Sequence, residues 1–523
     1  MTASATLDGG PVATTERAFP CLDGARILAA TVILIMHVGS YAGVDSAGVV
    51  GRALYHLEVG VAVFFVLSGF LLFRPFAAAA VARRPAPSPG AYLWRRALRI
   101  LPAYWITVAA ALLLLDANAG ADGTTWFRHL ALVMTYDDQF YAAGLLHAWS
   151  LCVEVSFYAV LPLLALGLIT VSRGRADRPW PGLLVLAGLA VAGPLYLYLA
   201  WLWWDGSAPT YTWLPAFAGW FAAGMALAFL TVADPTWRPV QVARGMAANL
   251  GACWTVALAL YVVACSPLTG PVGLIVPTPA EATLKNVLNM GVAFFLVLPL
   301  VLAEPDRGPV RRALASRPMR HLGEISYGVF LLHVPVLVGL YESLGAVVPS
   351  GSVWLMAPVV WGGSVAMASV LYVLVERPIS RWRSLVPDRS LTAVSAGYGG
   401  AAGSRSFELA MGGHTEQLVA ALDSGTPVDL ANDHGDTLLI LAADHSRADT
   451  VAALLARGAD HSRTNDRGQT ALSVAVYRRS AETVGHLLAA GGDPDAGTPS
   501  ARATASHFDL SGMRTLLEAA KAS

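Results

Sequence analysis

Arg26 and His37 lie eleven residues apart on one apolar segment that begins Leu22-Asp23-Gly24-Ala25-Arg26. A helix rises about 1.5 Å per residue, so the imidazole stands roughly 16 Å beyond the guanidinium. With Arg26 at a membrane surface, His37 lies near the middle of a hydrocarbon core about 30 Å thick. An ionisable side chain at that depth is costly and marks a candidate functional site. Neutral imidazole, with a pKa near 6.5, suits removal of a proton from a hydroxyl, a contribution of about 10² to 10⁴ in rate. Glu154, on a later apolar segment between His147 and Tyr158, is the carboxylate expected to stabilise the imidazolium that forms. Ser68 and His333 also sit on apolar segments, and Glu376-Arg377-Pro378 closes the last one. Arg96 and Arg99 are three apart and share a helix face. Paired guanidinium forks suit a nucleotide phosphate. The structural alternatives are a histidine bonded between packed helices and arginines required by topology alone.

The elements that must position these groups are membrane helices. Of the 523 residues, 55% are hydrophobic and 13% charged, with mean hydropathy +0.55. Soluble domains carry about 25% charged residues, so most of this chain faces lipid or a protein interior. Net charge is zero, which neither calls for nor excludes nucleic acid; no nucleic-acid partner is expected. Only Lys285 and Lys521 are lysines, a bias of GC-rich bacterial genomes. Apolar stretches near 25–43, 58–79, 100–116, 146–170, 182–203, 212–232, 250–267, 286–303, 324–345 and 352–375 predict ten spans. The stretch from Trp126 to Met134 is shorter and reads as interfacial.

Arginines follow every even-numbered span: Arg83, Arg84, Arg95, Arg96 and Arg99; Arg173, Arg175 and Arg178; Arg238 and Arg244; Arg307, Arg311, Arg312, Arg317 and Arg320; Arg377, Arg381, Arg383 and Arg389. The positive-inside rule then puts both termini in the cytoplasm, with the protein in the inner (cytoplasmic) membrane. The first 24 residues lack a signal-peptide pattern, so the first span is expected to be retained. Asp23 is expected to cap the first helix. Cys21, Cys152, Cys253 and Cys265 form no close pair, and neither a disulfide nor a metal site is expected.

Composition changes after Pro387. Residues 1–17 read as disordered, 18–387 as the membrane domain, 388–404 as a flexible small-residue linker and 405–523 as a second domain. In the last, Asn432-Asp433-His434-Gly435-Asp436-Thr437 returns as Asn465-Asp466-Arg467-Gly468-Gln469-Thr470, 33 residues on. Leu454-Leu455-Ala456-Arg457-Gly458-Ala459-Asp460 returns as Leu487-Leu488-Ala489-Ala490-Gly491-Gly492-Asp493 by the same shift. Period and pattern resemble ankyrin repeats, with a partial unit before and a degenerate one after, and with Thr-Leu-Leu-Ile and Thr-Ala-Leu-Ser in place of the usual Thr-Pro-Leu-His turn. The fold class expected is all-α: a polytopic bundle of about ten transmembrane helices followed by a small α-solenoid. Such repeats bind protein partners and do no chemistry themselves.

Five motifs occur in order: Leu-Asp-Gly-x-Arg-x10-His from Leu22, Phe-Phe-Val-Leu-Ser-Gly-Phe from Phe64, Arg-x-x-Arg-Ile-x-Pro-Ala-Tyr from Arg96, Trp-Ser-Leu-x-x-Glu-x-x-Phe-Tyr from Trp149 and Ile-Ser-Tyr-Gly-x-Phe-Leu-Leu-His from Ile325. Together they resemble the integral-membrane acyltransferase family 3 over about residues 18 to 385. The resemblance implies transfer of an acyl group, commonly acetyl, from acyl-CoA to a hydroxyl of a sugar, glycolipid or glycosylated natural product. It implies His37 as base, Arg26 as its companion, Arg96 and Arg99 as acyl-CoA ligands and Glu154 as an essential carboxylate. Ser68, Tyr327 and His333 fall in matching motifs as further cavity residues. Acyl-CoA would be a co-substrate, with no cofactor held permanently and with membrane lipid, a sugar-containing acceptor and a protein partner of the repeats completing the set. The competing class is a proton-coupled transporter or flippase of a glycoconjugate, although no inverted repeat or pair of broken helices supports it. A catalytically silent scaffold would not require His37 and Arg99.

Overall fold

The computed structural model describes residues 19–522 except 45–47, 84, 137–140, 173–176, 205–208, 273–276, 304–307, 387–400, 433–434 and 466. The N-terminal segment 1–17, most of the expected linker, and Arg84, Arg173, Arg175, Arg307 and Arg389 lie outside the described residues. Two compact units result, one within Thr15–Asp388 and the other within Arg389–Ser523.

The first unit is built from α1 (Cys21–Tyr41), α2 (Val59–Val81), α3 (Pro89–Leu114), α4 (Trp149–Val171), α5 (Trp180–Trp204), α6 (Leu214–Val232), α7 (Arg238–Ala248), α8 (Leu250–Ala264), α9 (Pro279–Leu302), α10 (Pro309–Leu314), α11 (Ser326–Leu344) and α12 (Val353–Leu371). Among the described residues nine helices are long and apolar enough to cross a membrane, and ten if α7 and α8 count as one bent span. The predicted seventh span therefore departs from expectation. α8 has 15 residues, about 22 Å, too short to cross alone, and α7 meets it at 85°. Asn249 makes the break: its side chain accepts from the Ala252 N–H and caps α8. The third span also begins earlier than hydropathy suggests, because Ser88 caps α3 and Pro89 occupies its first turn. Asp23 is not a cap; it lies in the first turn of α1, whose N-cap is Pro20, and pairs with Arg26. The short helix Gly123–Leu130 stands apart from the spans, held to α3 by Tyr104 and Trp105, which donate to the carbonyls of His129 and Leu130 at 2.7 and 3.0 Å.

The α2–α6 seam is the closest approach that bears on the site. A Cβ on Gly69 would overlap the Phe221 carbonyl oxygen, and one on Gly224 would overlap that of Val66. Without a hydrophobic drive between helices in lipid, such small-residue contacts are what hold a bundle together. Phe65, Phe221 and Phe157 stack in series at 4.6 and 4.0 Å, carrying the seam across to α4.

The second unit is a series of four helix pairs: Ala401–Gly412 with Thr415–Asp423, Leu438–Asp444 with Ala448–Leu455, Ala471–Tyr477 with Ala481–Ala489, and Ala501–His507 with Ser511–Ala522. The first helix begins at Ala401, inside the segment expected as linker. The atypical turns keep their physical job, since Thr437 and Thr470 cap the helices that follow by accepting from Ile440 and Ser473 N–H groups at 3.1 Å. Glycines with positive φ end the second helix of successive pairs at Gly425, Gly458 and Gly491, spaced by the repeat. Among the described residues of both units there is no β-strand beyond isolated bridges in these turns, so the fold is all-α.

Candidate active site

A cavity of about 110 Å³ inside the membrane unit is lined by Arg26, Ser68, Arg96, Arg99, Glu154 and Tyr327, among others. Each of the five sequence motifs thus contributes a lining residue to this cavity, the first through Arg26. Each group is held by a traceable local cause. Arg26 meets Asp23 at 3.2 Å, and the start of α1 is pressed against the helix Arg317–Glu324, where a Cβ on Gly323 would overlap Asp23. Ser68 follows from the glycine seam beside it; its hydroxyl donates to Glu154 Oε1 at 2.5 Å. Tyr158, one turn along α4, donates to the same oxygen at 2.7 Å. Tyr327 donates to the Ile100 carbonyl at 3.0 Å and so ties α11 to α3.

The two α3 arginines are not equivalent. Arg99 pairs with Glu376 at 3.1 Å, and the Glu376 side chain is only 6% exposed. Glu376 is turned inward by a π-helical turn, Tyr372–Glu376, ahead of Arg377-Pro378. The Arg96 Nε atom is buried with no hydrogen-bond partner among the described residues, while its side chain lines the cavity. A guanidinium donor left open beside a cavity is the part of this site suited to an anionic ligand.

His37 does not line that cavity. It belongs to an adjoining cluster with His333 and His147, whose ring centroids lie 5.0 Å (His37–His333), 4.9 Å (His147–His333) and 6.3 Å (His37–His147) apart. Phe330 joins the two compartments: it lines the cavity, and its ring is 5.2 Å from His147 and 5.7 Å from His333.

Backbone carbonyls fix the tautomers, because a carbonyl can only accept. His333 Nδ1 faces the Phe330 carbonyl at 2.5 Å and therefore carries the proton, leaving Nε2 as an acceptor. His37 Nδ1 faces that Nε2 at 3.1 Å and the Ile33 carbonyl at 3.0 Å, two acceptors, so it carries its proton there. The lone pair of neutral His37 is thereby assigned to Nε2. His147 donates through Nε2 to the Leu331 carbonyl at 3.1 Å. That carbonyl is open because Pro335, four residues on, has no N–H to give it.

Glu154 and His37 are not direct partners: the carboxylate is engaged by Ser68 and Tyr158, and the imidazole by His333. His147 and Tyr158 are the site residues the sequence reading did not single out, and Glu376 was marked only as closing the last span, without its pairing to Arg99. His147 and Tyr158 flank the Glu154 motif, and the proline two residues after His333 was the visible sign of an open carbonyl. Among the described residues no set of His, Cys, Asp and Glu converges to hold a metal ion, and the four cysteines are free thiols.

The family described as "Acyltransferase domain" matches residues 19–376, and that described as "Ankyrin repeats (3 copies)" matches residues 407–498. The chain is similar to a putative membrane-bound transacylase, BcsY, of Komagataeibacter xylinus, 28% identical over 336 residues that cover 61% of this chain and 72% of the relative. It is also similar to nodulation protein 10 of Rhizobium leguminosarum bv. viciae, 25% identical over 391 residues, 64% of this chain and 85% of that one. With apolar helices throughout the matched region and a residue of each motif lining one cavity, the chain belongs to acyltransferase family 3, a multi-pass membrane acyltransferase extended by ankyrin repeats.

Proposed function

We propose that the protein moves an acyl group, acetyl in the simplest case, from acyl-CoA to a hydroxyl of a carbohydrate, glycolipid or glycosylated natural product, with His37 as general base. The observation that carries this reading is the orientation of His37, with Nδ1 held by two acceptors and the lone pair left on Nε2. Nε2 takes the hydroxyl proton as the oxygen attacks the thioester carbonyl carbon. The tetrahedral intermediate collapses, the carbon–sulfur bond breaks, and the departing thiolate recovers the proton from His37. The products are an ester and the CoA thiol.

Arg96 receives the anionic part of acyl-CoA, while Arg99 is held by Glu376 and shapes the same wall. Arg26 adds positive charge at the cavity, and Glu154, with Ser68 and Tyr158, supplies a fixed polar network at its edge. Tyr327 and His333 act by position, one tying α11 to α3 and the other fixing the His37 tautomer. The arginines after the even-numbered spans support a cytoplasmic location for both termini in the inner membrane, which puts this cavity within reach of cytosolic acyl-CoA. The repeat unit would engage a cytosolic protein.

Purified protein in detergent, incubated with radiolabelled acetyl-CoA and a panel of glycosides and membrane sugars, tests the reading against His37→Ala. Transfer in wild type and loss of about 10²-fold or more in the variant, with CoA binding retained, is expected. Transfer that survives His37→Ala refutes the base. Failure of wild type to bind CoA refutes the donor.

A further inference from the structure

Tyr92 carries a buried hydroxyl that has no hydrogen-bond partner among the described residues. The residue lies in the first turn of α3 and is 6% exposed. Its ring packs edge-on against Phe76 of α2, with centroids 5.8 Å apart. A buried hydroxyl without a partner costs free energy, and a native protein keeps one for a reason.

Helical register places this hydroxyl next to the reaction cavity. Tyr92 and Arg96 are four apart on α3 and share a face, as Leu72 and Phe76 do on α2. Leu72 and Arg96 line the cavity, and Phe76 and Tyr92 stand one turn beyond them. α2 ends at Val81 and α3 starts at Pro89, so that further turn faces the connection between the two helices. The positive-inside rule puts this end in the cytoplasm. Arg96 and Glu154, both in the cavity wall, are within electrostatic reach of the hydroxyl. Glu154 accepts from Ser68 and Tyr158, not from Tyr92.

Arg96 has an open group of the same kind in its buried Nε. Two unmet donors therefore stand one turn apart on one helix face, with Cβ atoms about 5–6 Å from each other. They match a ligand group that carries several acceptor oxygens, and a phosphate is such a group. Acyl-CoA would present its phosphates at this end of the helices. Its thioester has to travel inward toward the histidines, so its charged end stays behind.

Resting on the acyl-CoA reading, we propose that Tyr92 is a coenzyme-binding residue: its hydroxyl and the Arg96 guanidinium together hold a phosphate of acyl-CoA at the cytoplasmic mouth of the cavity. The unmet hydroxyl belongs to a site that is complete only when the coenzyme is bound. Tyr92→Phe tests this, because it removes one oxygen and keeps the ring against Phe76. Affinities are read from the full chain in detergent by displacement of radiolabelled coenzyme A, with coenzyme A and pantetheine as competitors; pantetheine lacks the nucleotide and its phosphates. Coenzyme A should bind the variant about tenfold more weakly or worse, while pantetheine binds both proteins alike. The free variant should unfold at or above the Tm of wild type, since its hydroxyl leaves no protein partner behind. Unchanged affinity for coenzyme A, or a lower Tm in the free variant, overturns the proposal. Equal weakening of coenzyme A and pantetheine overturns the phosphate contact. A wild type that binds no coenzyme A refutes the acyl-CoA donor instead, so the two failures are distinguishable.

Discussion

Arg96 and Arg99 share a helix face, yet their surroundings predict different consequences when each becomes glutamine. Arg99→Gln removes the cation 3.1 Å from a Glu376 side chain that is 6% exposed. Breaking a buried ion pair by removing one partner costs about 3–5 kcal/mol, so this variant should unfold several degrees below wild type. Glu376→Gln in the same chain removes the carboxylate as well and should restore part of the loss. Arg96→Gln removes a guanidinium whose Nε has no protein partner among the described residues. Its stability should stay near wild type, and the loss should appear in acyl-CoA binding. One charge-assisted hydrogen bond is worth about 1.5–3 kcal/mol, equivalent to an increase in Kd of about 10- to 100-fold. Thermal unfolding in detergent of the two single variants, Glu376→Gln and the Arg99–Glu376 double variant, paired with CoA binding by calorimetry, separates the effects. The reasoning is refuted if Arg96→Gln destabilises as much as Arg99→Gln, or if Glu376→Gln leaves the Arg99→Gln loss unchanged.

Three further outcomes follow from the fold. Gly224→Ala drives a methyl group into the Val66 carbonyl at the α2–α6 seam and should cost about 1–3 kcal/mol or more, seen as a lower Tm; an unchanged Tm would show that the seam yields freely. Pro335→Ala supplies the N–H that the Leu331 carbonyl lacks, so His147 loses its acceptor to the helix; a shift of the His147 Nε2 resonance in nitrogen-15 spectra checks this, and an unmoved resonance counts against it. Asp234 lies in the connector after α6, where the Thr236 hydroxyl and N–H, with Arg178, lower its pKa from 3.8 to about 2. Because the folded value is depressed, the contribution is fully present above about pH 4 and is lost as pH falls through about 2. The Tm difference between wild type and Asp234→Asn should accordingly be constant from about pH 5 to 8 and vanish toward pH 2; a difference that grows on acidification would contradict the assignment.

Hydropathy made most of the bundle legible because the spans are long and apolar, and the 33-residue period made the repeats legible because capping threonines and terminal glycines recur with it. What hydropathy blurred were the helix ends. Arg95, Arg96 and Arg99 depress any window that contains them, so the first turns of α3 were hidden although Ser88-Pro89 announces them. Asn249 likewise announces a helix start that a continuous apolar run conceals. At the site, motif residues identified the walls of the cavity but not the wiring between them. His147 depends on a proline 188 positions away in the chain, and the tautomer of His37 depends on His333. Relations of that kind arise only when distant helices meet. The separation of His37 from Glu154 is of the same origin, since spacing along two helices cannot show which partners each side chain chooses.

Gly69 and Ser68 are neighbours on one turn of α2, and this ties two demands to a single seam. The glycine sets how near α6 can come, while the serine sets where the Glu154 carboxylate is grasped. Any bulk added at the first also rotates the second, so the seam works as a gauge: the gap between two helices is written directly into the alignment of a hydroxyl and a carboxylate. Lipid that thins or thickens around the bundle, by changing helix tilt, would reach the polar network through the same gauge, and the membrane's own thickness becomes one of the settings of the site.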